Sequence, residues 1–103
     1  MSESEQGPGR EALAQIDRVL ARRPGRDGPA LTAAVQALTR MRDIVIARHR
    51  RDGGTRHRAR LERVNALISA VLAAEFPLAE VPWEEVEKAR AWLDEMLGDE
   101  AAQ

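Results

Sequence analysis

A chain of 103 residues has room for one domain, and a domain this small buries only about 60 to 65 per cent of its unfolded surface, so one modest core is the limit. It contains no cysteine, which excludes disulfides, thiolate nucleophiles and thiolate zinc sites and makes the cytoplasm the expected address. The formal net charge of −1 conceals a strong dipole: residues 1–39 balance, residues 40–63 carry nine Arg against Asp43, Asp52 and Glu62 for a local +6, and residues 64–103 carry nine acids against Lys88 and Arg90 for −7.

The first nine residues, MSESEQGPG, are polar, show no periodicity and contain Gly7-Pro8-Gly9, so they read as a disordered tail with no secretory signal. A single domain is expected over residues 10–98. From Arg10, Leu13, Ile16, Val19 and Leu20 fall at helical spacing, which predicts a short first helix ending near Arg22 and stopped by Pro24-Gly25. At about a dozen residues it needs a partner to be stable.

Asp27-Gly28-Pro29 is a start signal, because proline near a helix start loses no hydrogen bond. The stripe Leu31, Val35, Leu38, Met41 and Val45, with Ile46 on its edge, carries a second helix to Arg51. Asp52-Gly53-Gly54 breaks it, and Thr55 is placed to cap a third helix running to about Glu75 on Leu61, Val64, Ile68, Val71 and Leu72. Two long helices joined by so short a turn lie antiparallel.

Phe76-Pro77 ends the third helix and Pro82 opens a fourth, with Glu84 and Glu85 suited to the positive end of its dipole. Val86, Ala89, Leu93, Met96 and Leu97 form its apolar face. Gly98 is its expected end, leaving 99–103 disordered. The fold class is therefore all-α: a long antiparallel hairpin with a short N-terminal helix and an amphipathic C-terminal helix packed on it, a small three- to four-helix bundle. The longest apolar run, Leu67 to Ala74, is far below the roughly 20 residues of a membrane span.

Fifteen of the sixteen basic residues are Arg. Codon usage in a GC-rich genome accounts for Arg over Lys, but not for clustering at the hairpin tip. Arg48, Arg50 and Arg51 suit the C-terminus of the second helix, whereas Arg56, Arg58 and Arg60 flank an N-terminus that already favours anions. These six are the candidate partner-binding residues; the plainer alternative is a basic tip that is simply solvated or that pairs with the protein's own acids. Trp83 and Trp92, with Glu84, Glu87, Asp94 and Glu95, form a candidate second interaction face on the last helix. His49 and His57 stand symmetrically about Gly53, where packing near the turn explains them better than metal binding. Arg42 and Asn65 interrupt apolar stripes, either as a register-fixing pair or with Arg42 reaching to solvent.

The catalytic inventory is poor, with no Cys, Tyr, phosphate loop or HExxH, so no catalytic residue, cofactor or metal is expected. The expected function is a non-catalytic interaction module that meets an acidic protein partner through the arginine tip, with self-association a second use of its surfaces. The alternative is a small nucleic-acid-binding regulator touching phosphates through the same arginines. None of Arg56, Arg58 and Arg60 is expected to be structural.

Overall fold

The computed structural model describes residues 4–101, and among these the chain forms four helices: α1 (Gln6–Ala21), α2 (Gly28–Asp52), α3 (Thr55–Glu75) and α4 (Trp83–Ala101). Helix α1 packs on α2 and α4, and α3 packs on the same two, so α1 stands opposite α3 and α2 opposite α4. Side-chain contacts fix the direction of each pair. Glu11 meets Arg40 while Glu5 meets Arg48, Thr32 Oγ1 donates to Glu75 at 2.7 Å at the far end from the Gly53-Gly54 turn, and Arg90 Nε donates to Asp17 at 2.8 Å while Gln6 Nε2 donates to the Leu97 carbonyl, so neighbouring helices run antiparallel throughout. The result is an up-down-up-down bundle of 42 × 22 × 19 Å.

The hairpin forms as its periodicity predicts. Asp27 accepts from the Ala30 N–H at 3.1 Å and caps α2. Gly53 and Gly54 have φ of +69° and +89°, which only glycine adopts without strain, and these two residues reverse the chain. Thr55 does not cap α3. It is the first helical residue, and the cap position falls to Gly54, which has no side chain to accept a bond.

Two expected tails are helical, the first from Gln6 and the second as far as Ala101. Helix α1 starts at Gln6, not Arg10, because Ser4 Oγ accepts from the Gln6 N–H at 3.0 Å and Pro8 falls in the first turn, where a missing N–H costs nothing. Gln6 Nε2 also donates to the Leu97 carbonyl at 2.7 Å, tying this turn to α4. Helix α4 passes through Gly98 because that glycine keeps ordinary helical φ, and continues to Ala101. Residues 1–3, 102 and 103 lie outside the described residues.

The core is aliphatic. Ile16, Leu31, Leu38, Met41, Leu67, Leu93, Met96 and Leu97 fill it, and Ala12, Ala34, Ala37, Ala74 and Ala89 let the helices approach closely. Leu72, placed on the inner stripe by its spacing, is instead exposed at 37%, and Leu67 and Ala74 take the inner positions. Arg42 is half-buried with no partner at Nε, while Asn65 faces solvent, so the two make no register-fixing pair. No helix among the described residues is long and apolar enough to cross a membrane.

Glycine substitutions separate these roles. A Cβ on Gly9 runs into the Leu97 side chain, so Gly9→Leu should lower stability by about 2 kcal/mol through overpacking. Gly98→Ala meets nothing and should raise stability by up to about 1 kcal/mol. Urea denaturation of both variants checks the pair of signs, and a stabilised Gly9→Leu would contradict the packing of α1 on α4.

Candidate functional site: the arginine pole

The bundle brings the start of α1, the end of α2, the start of α3 and the end of α4 to one pole. Glu5 sits at its centre with only 1% of its surface exposed, the one buried polar or charged side chain among the described residues. Isolated burial of a carboxylate is prohibitive, so it must be paired. Arg48 Nη1 approaches Glu5 Oε2 at 2.5 Å, and Arg60 donates to Glu5 Oε1 from Nη2 at 2.7 Å and from Nε at 3.2 Å. Glu100 flanks the cluster, with its Oε2 3.9 Å from Arg48 and 3.8 Å from Arg60, and its Oε1 accepts from Ser4 Oγ at 2.8 Å. Arg60 Nη2 also reaches the Met96 carbonyl at 3.5 Å.

The six tip arginines therefore divide. Arg48 and Arg60 turn inward and pair with Glu5 of the same molecule. Arg50, Arg51, Arg56 and Arg58 are exposed. Arg51 Nε pairs with Asp52 at 3.2 Å. That hydrogen bond, then the Arg51 and His57 charges, holds the Asp52 carboxyl below its usual range, so the pair keeps its charge when acidification protonates an ordinary aspartate. No carboxylate among the described residues pairs with Arg50, Arg56 or Arg58.

Sequence reasoning missed the inward pair, although the signal was present. Arg60 precedes Val64, Leu67, Val71 and Ala74 at steps of four and three, and Arg48 follows Leu38, Met41 and Val45 in the same way, so both continue the buried stripes. Glu5 was hidden because it lies in a stretch that reads as tail.

The histidines are half-buried near the turn. His57 Nε2 stands 3.5 Å from Asp52 Oδ2, and both Nδ1 atoms are buried without a partner. No group of three His, Asp or Glu among the described residues is arranged to hold a metal. A cleft of about 330 Å3 opens at this pole, walled by Arg51, Asp52, Arg56 and His57 together with the Glu5 cluster.

The second candidate face is also divided. Trp83 packs against the core, whereas Trp92 is 46% exposed. Glu87 pairs with Arg23 and Asp94 with Arg90 at 3.6 Å, leaving Glu84, Trp92 and Glu95 directed outward. Compared with family models, curated proteins and solved structures, the chain finds no match.

Glu5→Gln removes the charge that holds Arg48 and Arg60 together. Complete burial of such a pair would make the loss about 3–5 kcal/mol; the guanidinium groups retain some solvent, so about 2 kcal/mol is expected. Arg58→Gln should change stability by less than about 0.5 kcal/mol. Thermal denaturation followed by circular dichroism measures both, and equal effects would contradict the inward–outward division.

Proposed function

We infer that the chain is a non-catalytic helical interaction module whose outward arginines dock an acidic segment of a partner protein. The observation that carries this reading is the exposure of Arg50, Arg56 and Arg58 without a carboxylate partner among the described residues, beside the end of α3 that lacks a capping side chain. Uncapped N–H groups and guanidinium forks both donate to carboxylates, and a docked acidic side chain satisfies donors that the protein leaves to solvent. The inward pair Arg48–Arg60 stiffens the platform from which they project.

A protein partner is favoured over nucleic acid by what α4 brings to the same pole. Asp99 is exposed there and Glu100 borders the cleft, so a polyanion tracking across the pole meets like charge that a short acidic segment avoids. Glu84, Trp92 and Glu95 on α4 offer a second surface, for another partner or another copy of the chain, since an exposed tryptophan is a common interface anchor.

Fluorescence anisotropy with a labelled glutamate-rich peptide and with a labelled DNA duplex tests the reading. Peptide binding should weaken at least tenfold in the Arg50→Gln/Arg58→Gln variant, with helicity unchanged. Duplex binding that is tighter than peptide binding and falls steeply with salt would replace this reading with phosphate-backbone binding. Peptide affinity indifferent to the two substitutions would remove it.

A further inference from the structure

Four large apolar side chains are exposed among the described residues, and three of them, Leu72, Phe76 and Leu78, cluster where α3 ends. Leu72 and Phe76 stand one turn apart on the same side of the helix, and Leu78 follows in the connection to α4. Phe76 is 70% exposed and Leu78 fully so. Closing the helix requires neither side chain: the Phe76 N–H donates to the Leu72 carbonyl at 2.8 Å, and Pro77 prevents further extension. Single apolar residues are ordinary on a surface, whereas a cluster marks a place of contact.

The rim of this patch has one sign. Between Val64 and Glu87 the chain has no basic residue, and its glutamates are Glu75, Glu80, Glu84, Glu85 and Glu87. Glu87 pairs with Arg23, Glu85 with Lys88, and Glu75 accepts from Thr32, which leaves Glu80 and Glu84 exposed without an ion pair among the described residues. Arg22 and Arg26 belong to the other connection, between α1 and α2, and pair with neither. Charge therefore chooses among occupants. A second copy seated on the same patch about a twofold axis brings Glu80 and Glu84 against their own images. The arginine pole of another copy has the opposite charge, but none of the exposed large apolar side chains among the described residues lies there. An anionic bilayer meets the repulsion that a second patch meets. We propose that the patch seats a basic amphipathic segment of a partner protein. The segment's apolar side chains cover Leu72, Phe76 and Leu78, and its Lys or Arg side chains pair with Glu80 and Glu84. The site lies at the end of the bundle away from the Gly53-Gly54 turn and holds whether or not the arginine pole docks an acidic segment.

Fluorescence anisotropy of the full chain with a labelled helical peptide of leucine and lysine tests the site, beside two peptides in which glutamate replaces lysine or serine replaces leucine. The leucine–lysine peptide should bind saturably and at least tenfold tighter than either. Phe76→Ser/Leu78→Ser alters two exposed side chains, should keep the helicity, and should weaken that peptide at least tenfold. Glu80→Gln/Glu84→Gln should weaken it at least threefold and reduce its salt dependence. Glu95→Gln/Asp99→Gln removes the same charge farther along α4 and should leave it unchanged. Binding indifferent to Phe76→Ser/Leu78→Ser, or weakened as much by Glu95→Gln/Asp99→Gln as by Glu80→Gln/Glu84→Gln, overturns the proposal. So does a dimer in sedimentation equilibrium, or binding to phosphatidylserine vesicles, that Phe76→Ser/Leu78→Ser abolishes, since the patch then belongs to a second copy or to a bilayer. Arg50→Gln/Arg58→Gln should leave the leucine–lysine peptide unaffected, which separates failure of this site from failure of docking at the arginine pole.

Discussion

A single buried carboxylate makes the arginine pole possible. Arg48 and Arg60 enter from α2 and α3, two like charges at the narrow end of a hairpin whose seam is otherwise apolar, and Glu5 lies between them at 2.5 and 2.7 Å. The same residue provides the carbonyl that accepts from the Gly9 N–H at 2.9 Å and so begins α1. One residue therefore relieves repulsion between two helices through its side chain and accepts the first hydrogen bond of a third through its backbone. Buried ion pairs are seldom stabilising compared with an apolar replacement, because desolvation cancels most of the attraction. Their consequence here is positional: the charges can be satisfied only when three helix ends arrive together.

Away from that pole the bundle is held by ordinary packing. Alanines at the contacts and leucines between them give closely approached antiparallel helices, and the ion pairs along the sides, such as Arg90 with Asp17, are exposed and contribute little stability. They mark register more than they enforce it. Division of labour follows from this arrangement. Apolar stripes fold the chain, Arg48 and Arg60 close one end, and Arg50, Arg51, Arg56 and Arg58 remain exposed.

The parts legible in the sequence were those set by period and by backbone chemistry. Helices α2 and α3 follow from apolar spacing, and the turn from a glycine pair that tolerates positive φ. The ends of the chain were not legible by the same rules. Gly7-Pro8-Gly9 reads as a breaker, yet a proline in a first turn has no hydrogen bond to lose, and the glycine beside it gives Leu97 room. Gly98 reads as a stop, yet nothing crowds it and its φ is not positive. Within the tip, charge alone grouped six arginines that helical phase separates, since Arg48 and Arg60 lie on buried stripes and Arg50 and Arg58 do not. The carboxylate that accounts for the inward pair is 43 residues from one and 55 from the other, a separation at which local pattern carries no information.

Amide hydrogen exchange at the start of α1 is the most direct test of this account. If Glu5 anchors the pole, the N–H groups of Gly9 and Arg10 should exchange as slowly as those in the middle of α1, and Glu5→Gln should accelerate them at least tenfold while the middle of α1 remains protected. Exchange at Gly9 and Arg10 as fast as in an unstructured peptide, with the rest of α1 protected, would show that the segment is a tail and that Arg48 and Arg60 are not held by Glu5.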